Sequence, residues 1–154
     1  MNKAIIKKAA AVFSAIAITA TAFSGCAANT ESGSSTLNIV ATTTMLADLT
    51  KNIAGDKATV SGLMGPGVDP HLSVATQGDV QTLTNADVVV YNGVHLEGKM
   101  GEAFGNLEKI DKNVICIADG ISEDKLLVTA DSAGAHDPHI WFSVDLWKDA
   151  AKAV

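Results

Sequence analysis

Two short stretches of this chain each end an Asp-Pro pair on a histidine: GPGVDPHLS at 65–73 and GAHDPHIWFS at 134–143. A neutral imidazole nitrogen suits borderline divalent metals such as zinc. Proline keeps the aspartate before it out of the helical region and fixes its own φ, so His71 and His139 each leave a stiff, extended turn. Asp69 and Asp137 are placed to cap those turns or to hold each imidazole in one tautomer. Taken singly, a histidine after Asp-Pro is more often a turn residue than a ligand, and the pattern of the pair alone leaves both readings open. Two matching turns favour one shared metal.

The remaining polar candidates are read more plainly. His95, in NGVHLEGKM, follows a strand pattern at the same edge and stays open between ligand and surface residue. His136, three residues before His139, reads as structural or solvent-exposed. Glu97 is expected to cap the helix that follows it. Cys116, inside NVICIA, reads as a small buried hydrophobe with no partner cysteine at ligand spacing. Trp141 and Trp147 are expected to pack between the domain and its last helix. A metallohydrolase would need a third protein ligand, an open coordination position and a general base. No HExxH pair is present, so an enzyme is not expected.

These side chains must be held by regular elements, and the sequence supplies them. LNIVAT (37–42), ATVSGLM (58–64), DVVVYNG (87–93) and NVICIA (113–118) read as strands. TTTMLADLTKNIA, with Met45, Leu46, Leu49 and Ile53 at helical spacing, reads as a helix stopped by Gly55. Further helical patterns cover 75–86, about 98–109, and 143 onward. Strand and helix alternate, which implies an α/β fold with a parallel sheet flanked by helices. Both histidine turns then follow strands, on the side of such a sheet where ligands bind.

The N-terminal part is of another kind. MNKAIIKK followed by the fifteen-residue run AAAVFSAIAITATAF is a charged segment leading into an apolar one, shorter than a membrane span of about 20 residues. FSGC then resembles a bacterial lipobox, with Phe23 in place of the usual leucine, so residues 1–25 are expected to be a lipoprotein signal peptide and Cys26 the lipid attachment site. AANTESGSST reads as a flexible tether over 26–36. From Cys26 onward the chain carries 8 lysines and 17 acidic residues, 8 − 17 = −9, and it has no arginine. A chain without a basic patch is not expected to bind nucleic acid.

GPGVDPHL, ATQGDV, NADVVVYNGVHLEGKM and HDPHIWFSVDLWKDAAKAV resemble, in that order, the solute-binding receptors of bacterial zinc and manganese ABC transporters. The resemblance covers about 37–154. It implies that His71 and His139 are two of four metal ligands, and that Zn(II) or Mn(II) is the transported ion. It also implies a membrane permease as partner, a lipid-anchored monomer on the extracytoplasmic face, and two lobes joined by one long helix. On that pattern 37–142 is the N-terminal metal-binding lobe and 143–154 the start of the linking helix. The other two ligands, a His or Glu and then an Asp, belong to a second lobe that this truncated sequence does not reach. Ser73-Val74 departs from the Tyr-Lys usual after the first histidine. A surface-adhesion role, or a defective gene fragment that binds metal only weakly, is the competing expectation.

Overall fold

The computed structural model describes residues 36–128 and 134–154; the expected signal segment, Cys26 and the tether through residue 35 lie outside the described residues. Four strands and four α-helices alternate: β1 (Leu37–Ala41), α1 (Thr44–Ala54), β2 (Ala58–Gly62), α2 (Gln77–Asn85), β3 (Val88–Tyr91), α3 (Gly101–Glu108), β4 (Asn113–Cys116) and α4 (Val144–Ala153). The strands form one fully parallel sheet in the order β2-β1-β3-β4. This is the α/β architecture the alternation implies.

The two central strands are mostly apolar, Ile39–Ala41 in β1 and Val88–Tyr91 in β3, because both faces of the sheet are covered. Side chains alternate along a strand, so Ile39, Ala41 and Val90 face one layer, where Leu46 of α1 and Leu146 and Ala150 of α4 close the core. Val40 and Val89 face the other, against Leu83 of α2 and Phe104 and Leu107 of α3. Burying such a side chain contributes about 1.5–3 kcal/mol. The two layers together fix the sheet rigidly enough to carry loops at its ends.

The helix starts are written locally. Thr43 caps α1 by accepting from Leu46 N, and Ser143 caps α4 by accepting from Leu146 N. Thr76 and Asp79 form a reciprocal capping box at α2, which fixes its start two residues later than the periodicity alone predicts. Gly55 closes α1 at φ 58°, a left-handed conformation open to glycine at little cost. The expected helix over 98–109 divides into a 3₁₀ turn, Gly98–Met100, and α3 proper.

The strands end earlier than their apolar runs. β2, β3 and β4 stop at Gly62, Tyr91 and Cys116. Main-chain bonds nevertheless continue past them: Met64 N donates to Thr42 O at 2.9 Å, and Ala118 N to Asn92 O at 3.2 Å. The loops carrying the candidate site are thus tied to one another at the C-terminal edge of the sheet.

Candidate metal centre

The two Asp-Pro-His turns fold alike. In the first, Asp69 Oδ1 accepts from His71 N at 2.9 Å, and in the second Asp137 Oδ1 accepts from His139 N, also at 2.9 Å. An aspartate bonded to the backbone two residues on is the Asx turn that proline's fixed φ prepares. Ser73 Oγ donates to Asp69 O at 2.7 Å and tightens the first turn further. Ser73, the departure from the resembled pattern, therefore supports the turn that presents His71.

The aspartates differ in what else they do. Asp137 Oδ1 also takes the ring Nδ1 of His139, at 2.6 Å. An ionised carboxylate can only accept, so that ring nitrogen carries the proton and Nε2 presents its lone pair. The bond from His139 N, then the ring bond, hold the Asp137 carboxyl below its usual range, which keeps it a carboxylate. Asp69 makes its bond to the backbone of His71 and none to the imidazole among the described contacts. Its expected part in fixing a tautomer is not seen, because the first turn aims the ring away from its own aspartate.

The turns bring the imidazoles together. His71 Nε2 and His139 Nε2 lie 3.3 Å apart, with ring centroids at 5.3 Å and planes inclined by 58°. That gap lies at the long end of the hydrogen-bond range. Two Zn–N bonds of about 2.0–2.1 Å at a tetrahedral angle would set two nitrogens about 3.3–3.4 Å apart. The separation of the two nitrogens matches that span. Among the described residues, no group of three or more His, Cys, Asp or Glu side chains gathers into a metal-holding cluster.

The other histidines line the same cleft, of about 380 Å³, without joining the pair. His95 is exposed, at φ 61°, on its rim. His136 is half-buried, its Nε2 3.2 Å from Glu123 Oε1, and its backbone forms an isolated antiparallel bridge with Val128. His136 is thereby tied into the loop that leads to His139. Trp147, on α4, packs against the core. Trp141 instead sets its ring edge-on to His139, at 5.2 Å and 76°, which corrects the expectation that it packs between domain and helix. One face of the His139 imidazole is thereby fixed by an aromatic wall.

Glu97 is the functional-site residue that the sequence misrepresents. Its side chain makes no cap bond to the 3₁₀ turn after it. It is buried, 4% exposed, and turns back under the sheet edge. Oε1 accepts from Thr42 Oγ1 at 2.6 Å and Asn92 N at 2.9 Å, and Oε2 from Gly93 N at 3.2 Å. Three donors satisfy the carboxylate that burial would otherwise penalise. No sequence pattern marks this role, since Thr42 lies 55 residues away.

Cys116 closes β4 half-buried. Burial pushes its thiol above the ordinary range, and the neighbouring Tyr91 hydroxyl is raised too, by burial first and then by its bond with Cys116. A protonated thiol is a poor metal ligand and a poor nucleophile, in keeping with the apolar role expected of it.

Residues 39–154 match the family model described as "Zinc-uptake complex component A periplasmic". Among curated relatives, the manganese-binding lipoprotein MntA of Bacillus subtilis is 43% identical over 143 residues, covering 90% of this chain and 44% of that protein. The zinc-binding protein TroA of Treponema pallidum is 47% identical over 116 residues, 75% of this chain and 37% of that one. The solved structure of that periplasmic zinc-binding protein superposes with a TM-score of 0.70 at 46% identity, over 76% of this chain and 41% of the other. A manganese-bound periplasmic metal-binding protein from Candidatus Liberibacter asiaticus gives 0.66 at 29% identity, over 76% and 42%. The chain thus spans about two fifths of the length of these relatives.

Proposed function

Because the chain belongs to the family of periplasmic zinc-uptake component A proteins, we propose that it is an extracytoplasmic receptor that captures Zn(II) or Mn(II) for an ABC-transporter permease. The observation that carries this reading is the 3.3 Å separation of His71 Nε2 and His139 Nε2, the span one tetrahedral ion bridges. His71 and His139 are the ligands in this reading. Asp137 fixes the tautomer of His139 and raises its basicity, as carboxylates do for metal-bound histidines. Asp69 holds the first turn. His95 stands at the rim of the cleft and is not assigned to the ion.

The chemistry is binding and release, with no bond of a substrate made or broken, so the protein is read as a non-enzyme. Two imidazoles leave a tetrahedral ion two positions short, which water or further protein ligands complete. Relatives that carry manganese and zinc in their names support both ions as cargo. Zinc favours nitrogen-rich sites, while manganese asks for more oxygen. Relatives named as lipoproteins support a lipid anchor at Cys26, holding the receptor as a monomer on the outer face of the membrane beside its permease.

Calorimetric titration of the chelator-stripped protein tests the site. One Zn(II) per chain is expected, with binding lost or weakened at least tenfold in His71→Ala and in His139→Ala. Unchanged binding in both variants would overturn the assignment. Incorporation of labelled fatty acid, abolished by Cys26→Ser, tests the anchor.

A further inference from the structure

The imidazole spacing is set by groups that touch no ion. Asn92, fully buried at the end of β3, donates through Nδ2 to Gly93 O and to Pro138 O, both at 3.0 Å. Pro138 immediately precedes His139, and its carbonyl also accepts from Ile140 N at 2.9 Å. The side-chain nitrogen facing two carbonyl oxygens must be the donor end of the amide. Asn92 Oδ1 has no partner, so the amide is held there for what it donates.

Glu97 fixes Asn92 in turn. It takes the main-chain N–H of Asn92 and Gly93, and Thr42 Oγ1 ties it to the end of β1. Between them Gly93, Val94 and His95 run through consecutive left-handed conformations, φ 80°, 51° and 61°. A β-branched valine there is a genuine outlier, costing about 1–3 kcal/mol, and such strain persists only where its surroundings impose it. Thr42 O meanwhile accepts from Met64 N, at the root of the loop that carries His71. One buried cluster therefore holds the approaches to both histidines.

We propose that Asn92 and Glu97 are positioning residues for the metal centre: through the Asn92–Pro138 bond they hold His139 at the distance from His71 that a single tetrahedral ion spans. This rests on the assignment of His71 and His139 as ligands.

The test compares Asn92→Ala, His139→Ala and Thr76→Ala, the last a capping change remote from the cleft. Zn(II) and Mn(II) affinities are read by chelator competition, and Co(II) serves as a visible-absorption probe of coordination geometry. Asn92→Ala is expected to lose about fivefold in Zn(II) affinity, the scale of one hydrogen bond. Its Co(II) bands should shift as well. Thr76→Ala should leave affinities and bands as in the parent. In the parent, the Asn92 side-chain amide resonances should move during Zn(II) titration with the midpoint of the His139 ring, a measurement that needs no folded variant.

Three results would overturn the proposal: parental affinity and bands in Asn92→Ala, equal losses in Thr76→Ala, or Asn92 amide signals that ignore zinc. If His139→Ala itself binds zinc like the parent, the ligand assignment fails as well. If only His139→Ala is impaired, that assignment stands and the positioning role alone falls.

Discussion

Gly93 offers the sharpest single perturbation. A Cβ added there would collide with Cys116 Sγ and meet Ala118 Cβ at 3.1 Å, and the residue sits at φ 80°. The left-handed conformation costs an alanine about 1–2 kcal/mol, offset by about 0.4–1 kcal/mol from a stiffer unfolded chain. Overpacking adds about 1–3 kcal/mol, so Gly93→Ala should destabilise by about 1–5 kcal/mol. The two contributions can be separated. Cys116→Ala removes the sulfur, and no other atom of that residue is within 4 Å of the added Cβ. Alone it should cost about 1 kcal/mol of lost burial. Added to Gly93→Ala, it should recover about 1–3 kcal/mol, the clash, and leave the conformational part. Urea denaturation of the parent, both single variants and the double variant measures the cycle. A cost for Gly93→Ala that is the same with and without the thiol would refute the steric argument. A cost near zero would refute the conformational one too.

Three other expectations follow from the same contacts. Asp137→Asn should lower metal affinity about 10- to 100-fold by weakening the hold on His139 Nδ1, with the thermal midpoint little changed, as calorimetry and a melting curve would show. Asp149, paired with Lys125 at 2.7 Å and Lys152 at 2.7 Å, is drawn down to about 2 from an ordinary 3.8, by Lys125 first. A depressed carboxyl stabilises the fold above its unfolded value and loses that contribution as pH falls from about 4 to about 2; Lys125→Ala should therefore flatten stability measured over that window. Cys116, whose thiol burial keeps protonated, should react with iodoacetamide at neutral pH more slowly than a free cysteine, and as fast as one only after denaturation.

The fold was largely legible because its evidence is local. VVVY in β3 and the IVA that ends β1 lie in strands covered on both faces, so they are near-continuous apolar runs, and the helices between them carry periodic faces and caps. The histidine turns were legible for a related reason, since Asp-Pro fixes its own backbone. What stayed hidden depends on residues far apart. Glu97 looked like a cap because the partners that make it a hub, Thr42 and Asn92, mean nothing until β1 and β3 lie side by side. Trp141 looked like core because aromatic spacing cannot distinguish packing on a helix from packing on an imidazole. The 3₁₀ turn at Gly98–Met100 reflects the left-handed passage before it, which no helical periodicity encodes.

The strand order has one more consequence. From β1 the chain steps outward to β2, then returns across β1 to build β3 and β4. In such sheets a crevice opens where the winding reverses direction, and open α/β proteins commonly lodge their ligand there, often an anion cradled by backbone N–H groups. Here that place lies between the ends of β1 and β3, where Thr42, Asn92 and Gly93 point their donors. The anion lodged in it is the protein's own Glu97. The anion seat that the strand order creates is occupied by a tethered carboxylate, and the two imidazoles proposed to receive the cation stand on the flank beside it.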